Sequence, residues 1–138
     1  MTKLINMKFF FVTAFLVLGL VSCKAQSTAT PPAEIAKVLK FTNDNFDMGK
    51  IVTGKPTEFT VDIENISSAP ISLTNVMVGC GCTTPKYTQG QVIAPNTHAT
   101  VVLGFNGSAV GPFTKSATIF FSGNLTKQVS FHGEGVQQ

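Results

Sequence analysis

The sequence predicts an all-β domain, and three observations support this prediction. Apolar and polar residues alternate with a period of two in several segments beyond residue 36, as they do in half-buried strands. Glycine, proline, asparagine and serine cluster between these segments, where turns are expected. No helical repeat of apolar residues occurs beyond residue 23. About seven short strands within roughly 100 residues are typical of an immunoglobulin-like β-sandwich.

Composition agrees with one folded domain and argues against a nucleic-acid partner. The chain has 138 residues, of which 43% are hydrophobic and 12% are charged, so it has enough apolar side chains for a packed core. The formal charge of +3 falls to +1 if Lys3 and Lys8 are removed with the N-terminal segment. Every positively charged residue is lysine, and the arginine fork that reads phosphates and guanine is missing.

Residues 1–22 are predicted to be a lipoprotein signal peptide. Lys3 and Lys8 precede an uncharged run at residues 9–21, which is shorter than the roughly 20 residues of a membrane-spanning helix. The next residues, LVSC, resemble the lipobox of bacterial lipoproteins, in which signal peptidase II cleaves before a cysteine that becomes lipidated. We therefore expect Cys23 to be the acylated first residue. An ordinary secretory signal and a retained membrane anchor stay open as alternatives.

Lipidation at Cys23 would hold the domain on a membrane. Two or three acyl chains on one residue give stable anchoring, whereas a single chain binds only marginally. Lys24 follows the cysteine, and by resemblance to the sorting rule of Gram-negative lipoproteins this favours the outer membrane, with the domain facing the periplasm. Residues 23–36 are small, polar and proline-containing, and we expect them to form a flexible tether.

The strand segments follow in chain order, each with one apolar face. Residues 58–64 alternate three apolar residues with four polar ones. The acidic residues of this segment are interpreted as a solvated strand face, because no calcium-binding loop motif accompanies them. The apolar positions expected in the core are Phe59, Val61, Ile63, Ala99, Val101, Leu103, Phe105, Ala117, Ile119, Phe121, Leu125, Val129 and Phe131.

Six short motifs lie along this part of the chain. They are FDMG at 46–49, F-x-V-x-I-x-N at 59–65, CGCTTP at 80–85, IAPN at 93–96, GPFTK at 111–115 and FHGEGV at 131–136. Together they resemble the DUF1573 family, which is common in secreted proteins of the Bacteroidetes and related to the immunoglobulin-like modules of ASPM, SPD-2 and Hydin. The resemblance covers residues 41–136. It implies an immunoglobulin-like domain, residues 37–138, in a Bacteroidetes-type lipoprotein, and it implies no activity.

Cys80 and Cys82 flank a single glycine, and several states of this pair stay open. In an extended strand their Cα atoms would lie near the upper limit of about 6.8 Å for a disulfide, so a tight bridge is feasible. An oxidising periplasm favours that bridge, while the small ring makes it easy to reduce. A redox-responsive dithiol would need an activating cation, and the nearest in sequence is Lys86. The remaining state of the pair without a metal is two buried free cysteines that act as small apolar side chains.

The same pair is also the only candidate metal site that the sequence offers. Thiolates could bind Cu(I) or supply half of a zinc site. His98 and His132 have no ligand spacing that would complete the set. We therefore expect no metal and no other cofactor.

We expect no enzymatic activity, because the sequence contains neither a G-x-S-x-G nor an H-E-x-x-H motif. A couple formed by Cys82 and His98 is conceivable. Both His98 and His132, however, are expected to lie on solvent-exposed positions of strands. The catalytic constellation of a nucleophile beside a base is thus missing.

The function predicted from the sequence is that of a monomeric, lipid-anchored binding or scaffold module. It would bind an unidentified envelope protein through loops or a sheet edge. The alternative is a periplasmic protein that handles thiol redox chemistry or a soft metal, copper or zinc, with the cysteine pair. Candidate contact positions are Cys80 and Cys82, followed by a loop of Thr83, Thr84 and Pro85.

Overall fold

The structure, a computed structural model, describes residues 32–138. In this part of the chain two β-sheets enclose one apolar core, so the predicted all-β, immunoglobulin-like sandwich is confirmed. Residues 1–22, predicted to be the signal peptide, and Cys23 lie outside the described residues. The elements are α1 (Pro32–Ile35), β1 (Leu39–Thr42), β2 (Asn45–Val52), β3 (Thr57–Asn65), β4 (Ile71–Val78), β5 (Thr83–Lys86), β6 (Gln91–Ile93), β7 (His98–Phe105), β8 (Gly111–Phe121), a 3-10 turn (Ser122–Asn124) and β9 (Thr126–Val136).

Within the described residues one sheet has four strands and the other has five. The first has the order β1-β3-β7-β5, and the second has the order β2-β9-β8-β4-β6. Strands β2 and β9 run parallel, whereas the other neighbours run antiparallel. Between β1 and β2 the chain passes from one sheet to the other through Asn43, whose φ of 63° is a conformation that asparagine adopts more readily than most residues.

The predicted alternation produces the core. Phenylalanine side chains fill much of this core. The ring centroid of Phe131 lies 5.2 Å from that of Phe59 and 5.8 Å from that of Phe105. Of the predicted core positions, Leu125 precedes β9 and is only partly buried. The others are buried: Phe59, Val61, Ile63, Ala99, Val101, Leu103, Phe105, Ala117, Ile119, Phe121, Val129 and Phe131.

Two details of the fold differ from the sequence prediction. The described residues contain nine strands where about seven were expected, because β1, β5 and β6 have only four, four and three residues and are too short to show alternation. In addition, α1 lies within the segment that was predicted to be a tether. Ile35 of α1, within the predicted tether, is 2% exposed and packs in the core.

Within residues 32–138 no helix is both long enough and apolar enough to cross a membrane.

Candidate functional site at the cysteine end of the sandwich

One end of the sandwich carries the Cys80–Cys82 pair. We call it the cysteine end and define it by residues 53–56, 79–82 and 106–110. Backbone hydrogen bonds join these three loops: Gly54 N donates to Gly107 O (2.9 Å), and Asn106 N donates to Cys82 O (3.0 Å). The loops therefore form one continuous surface.

The N-terminal segment joins the domain at the opposite end. We call it the tether end and define it by residues 36–38, 66–70 and 94–97. Ile66 N donates to Val38 O there, and Asn65 N donates to Thr97 O, both at 3.0 Å. Strand β3 runs the full distance between the two ends, and its nine residues span about 27 Å.

Cys80 and Cys82 lie where the chain passes from β4 in the second sheet to β5 in the first. They form a disulfide with their Cα atoms 5.2 Å apart. Both are half-buried, and Gly81 between them is exposed. Gly81 is not in the left-handed region, and a Cβ there would meet nothing within 4 Å. Glycine is therefore not required for this connection.

Backbone hydrogen bonds hold the connection independently of the disulfide. Gly79 N donates to Ser116 O (3.2 Å), and Thr83 N donates to Cys80 O (3.3 Å). The bond from Asn106 to Cys82 fixes the other side. The disulfide also encloses a loop of only three residues, so it removes little entropy from the unfolded chain.

We predict that the Cys80→Ser/Cys82→Ser double variant folds normally and loses at most about 1.6 kcal/mol in its free energy of unfolding, the chain-entropy value for so small a loop. Guanidinium unfolding of the variant and of the reduced wild-type protein measures this loss, and the two should agree. A loss above about 3 kcal/mol, which is typical of a much larger loop, would show that the disulfide is a structural staple.

The structure corrects the prediction of a contact loop at Thr83, Thr84 and Pro85. These residues form strand β5 together with Lys86. Thr83 is 4% exposed and is opposite buried Phe105 in the register, so its side chain is inaccessible to a partner. Of the three, only Thr84 is exposed. The sequence was misleading because four residues with one proline have the composition of a turn.

The free edge of β5 is closed to an added strand. Because Cys82 and Asn106 form a hydrogen-bonded pair, the alternation of the antiparallel ladder directs the backbone groups of Thr83 and Pro85 outward. The N–H of Thr83 already donates to Cys80 O, and Pro85 has none. A proline on an edge strand is a common protection against edge-to-edge pairing.

The other edge strands are also poor templates. Strands β1 and β6 are only four and three residues long. Strand β2 is longer, but its register shifts between Asp47 and Lys50, where Gly49 has a φ of 63°. Short edges, bulges and edge charges all disfavour strand addition. The predicted binding through a sheet edge therefore has no support in the geometry.

The acidic face predicted for residues 58–64 is a row of cross-strand pairs. Glu64 forms a salt bridge with Lys40 of β1 (3.6 Å), and Asp62 shares a hydrogen bond of 2.8 Å with Nδ1 of His98. Each of these carboxylates thus has a basic partner in the next strand. No group of three or more potential metal ligands occurs within the described residues.

Lys86, the cation nearest to the cysteines in sequence, is paired elsewhere. It forms a salt bridge with Glu58 across β7. The pair meets over Gly104, where a Cβ would lie 3.4 Å from Oε1 of Glu58, beside a cavity of about 330 Å³. Four residues of strand separate Lys86 from Cys82, which is about 13 Å.

The cation that lines a cavity together with Cys80 is Lys115, which sequence reasoning missed. Lys115 and Cys80 line the same open cavity of about 250 Å³, together with Gly79, Thr114 and Ser116. In β8, Lys115 lies two residues from each of the buried residues Phe113 and Ala117 and so belongs to the same face of the strand. A lysine within an otherwise apolar alternating series is unusual, and this pattern could have identified the position from the sequence.

The structure separates the conceivable Cys82–His98 couple. His98 begins β7, and Asn106, the neighbour of Cys82, follows the end of that strand. Eight residues of extended chain put about 26 Å between them. The side chains of His98 and His132 are 53% and 42% exposed.

A two-sheet sandwich whose loops converge at a disulfide-bearing end defines a small immunoglobulin-like module. The chain belongs to the DUF1573 family, described as proteins of unknown function, whose model matches residues 39–135. The family resemblance predicted from the motifs is confirmed. A comparison with curated proteins gave no significant match.

Solved structures share the fold at low sequence identity. The ASH/PapD-like domain 7 of human CEP192 is 10% identical, with a TM-score of 0.57 over 74% of this chain and 87% of that one. A Porphyromonas gingivalis protein of unknown function is 15% identical, with a TM-score of 0.60 over 70% of this chain and 46% of its own. The VesB protease of Vibrio cholerae is 10% identical, with a TM-score of 0.59 over 74% of this chain and 34% of its own. This chain therefore spans less than half of the two bacterial proteins, and the likeness concerns the fold alone.

Proposed function

We propose that this protein is a lipid-anchored, non-catalytic binding module of a bacterial cell envelope, monomeric and acylated at Cys23. The signal-like residues 1–22 and the lipobox support the anchor. The absence of aspartate at position 24 supports the outer membrane, with the domain on its periplasmic face. Its partner is an envelope protein.

The observation that carries the proposal is the separation of the two ends. The chain from Cys23 enters the domain at the tether end, and the loops of the cysteine end lie about 27 Å away. Residues 24–31 add a reach of at most about 28 Å, because an extended chain covers about 3.5 Å per residue. An anchor at Cys23 thus leaves the cysteine end free to meet a partner beyond the membrane surface.

We favour the cysteine end as the contact surface over the edge of β5 and the outer face of the first sheet. The free edge of β5 has no backbone donor to offer. On the outer face of the first sheet two glutamates form salt bridges with lysines, and Asp62 shares a hydrogen bond with His98. The cysteine end instead exposes an apolar side chain, Val110, which is 65% exposed. Loops held by a rigid sandwich are where binding residues are most often found.

Two features favour binding over catalysis. The separation of Cys82 from His98 removes the one nucleophile–base couple that the sequence offered. The carboxylates of β3 are engaged with basic residues and are not arranged as a facing acid–base pair.

We predict that Cys23→Ala releases the protein from the membrane fraction, since the acyl chains are its anchor. The Cys80→Ser/Cys82→Ser variant is the matched control and should stay with the membrane. Mass spectrometry of the wild-type protein should find an N-terminal peptide that begins at Cys23 and carries acyl chains. An unacylated N-terminus, or a Cys23→Ala protein that remains in the membrane, would refute the anchor.

A further inference from the structure

The two sulfurs of the disulfide have different surroundings. Cys82 packs against the hydrophobic core. Cys80 is absent from that packing and lines the open cavity of about 250 Å³ that it shares with Lys115. An incoming reagent therefore has access to Cys80 first. Within the described part of the chain Lys115 takes part in no salt bridge.

The hydroxyl of Thr83 lies within reach of both sulfurs and donates its one proton to either of them. Its hydroxyl oxygen lies 3.8 Å from the Sγ atoms of Cys80 and Cys82. Since Thr83 is only 4% exposed, water does not compete for this hydroxyl. A thiolate accepts a stronger hydrogen bond than a disulfide sulfur does, so opening the bridge would strengthen this contact.

Opening the bridge would leave the fold in place. The backbone bonds from Gly79 to Ser116 and from Asn106 to Cys82 hold the crossing on both sides. These bonds do not involve the sulfurs, so both cysteines would stay at their positions in the reduced state.

We propose that Cys80 and Cys82 form a thiol–disulfide exchange site that takes two electrons from a dithiol. In the first step a thiolate of the dithiol attacks Sγ of Cys80, the Cys80–Cys82 bond breaks, and Cys82 leaves as a thiolate that accepts the hydrogen bond of Thr83. In the second step the other thiol of the reagent loses its proton and attacks the reagent sulfur of the mixed disulfide. Cys80 then leaves as a thiolate beside Lys115, and the reagent becomes a disulfide. The two thiol protons pass to the solvent or to the cysteine pair. The reverse sequence returns two electrons to a disulfide and forms the Cys80–Cys82 bond again.

This activity goes beyond the proposed binding function and does not depend on it. A soluble dithiol tests it without a partner or a membrane. The test protein is the full chain with Cys23→Ser, purified in detergent, so that its only thiols are those of the pair. Dithiothreitol at pH 7 should reduce the disulfide while the near-ultraviolet circular dichroism of the domain is retained.

Two lysine variants distinguish exchange from passive exposure. Lys115→Gln should slow reduction by dithiothreitol about threefold, because the attacking and leaving thiolates lose their neighbouring cation. Lys55→Gln, at the same end but outside the Cys80 cavity, should leave the rate unchanged. Both variants keep the two cysteines, so folding can be verified independently of the chemistry. Equal rates for the two variants, or reduction only in denaturant, would overturn the proposal.

The sulfurs can also be tested one at a time. In the Cys82→Ser protein, Cys80 should react with iodoacetamide at pH 7 about tenfold faster than Cys82 does in the Cys80→Ser protein, because only Cys80 lies in the open cavity beside a cation. Lys115→Gln should remove most of this advantage. If Cys82 reacts as fast as Cys80, the proposed order of attack is wrong.

Discussion

Phe131→Ala is expected to lower the free energy of unfolding by about 3–5 kcal/mol, the usual cost of removing a buried phenylalanine. Phe131 is 0% exposed, and its ring lies 5.2, 5.8 and 6.4 Å from those of Phe59, Phe105 and Phe113. Of the four phenylalanines, two belong to the first sheet and two to the second. Removal of the Phe131 ring would therefore leave a cavity between the two sheets. The loss is large compared with the total of about 5–15 kcal/mol that stabilises a typical domain.

Guanidinium unfolding measures this effect, and Phe120→Ala is the matched control. Phe120 lies in β8 of the same sheet but is only partly buried. Its replacement should cost about 1 kcal/mol or less, because little apolar area leaves the solvent when it folds. Equal losses for Phe120→Ala and Phe131→Ala would contradict the assignment of the core face.

The second large effect is expected for Asn65→Ala, with a loss of about 3 kcal/mol from buried polar groups left without partners. Asn65 is 0% exposed. Its Nδ2 donates to Ala69 O and Ile93 O, both at 2.8 Å. Its Oδ1 accepts from the backbone N (2.9 Å) and the hydroxyl (2.7 Å) of Ser67. One side chain thus joins β3 to two other segments near the tether end.

Thermal unfolding and guanidinium unfolding both measure the loss at Asn65. The control is Asn75→Ala, since exposed Asn75 accepts one hydrogen bond from the Tyr87 hydroxyl (3.0 Å). Replacement of Asn75 should cost less than about 1 kcal/mol. An Asn65→Ala protein as stable as the Asn75→Ala protein would show that the buried network does not stabilise the tether end.

The fold class could be predicted because its signal is local. Alternation in β3, β7 and β8 identifies which residues face the core without knowledge of the partner strand. The parallel pairing of β2 with β9 joins residues 45–52 to residues 130–136. Such long-range pairing depends on how whole strands pack, and the sequence of neither strand alone shows a pattern that identifies its partner.

The site was less predictable than the core, for the same reason. The cysteine pair is contiguous in sequence, and its proximity was therefore foreseen. Lys115 lines the same cavity as Cys80 only because β8 packs beside the crossing from β4 to β5. Thr83 resembled a turn residue, yet the register with β7 buries it. Ile35 was a single apolar residue in a polar stretch, and only the tertiary contact identifies it as part of the core.

In the function that we propose, the domain binds an envelope partner through the cysteine end. Photo-crosslinking in intact cells tests it with a photoreactive residue at Val110, in the cysteine end, or at Ile66, in the tether end. Both positions carry exposed β-branched side chains, with exposures of 65% and 43%. We predict that position 110 crosslinks to one envelope protein of defined mass and that position 66 does not. Crosslinking from position 66 alone, or equally from both positions, would contradict the account.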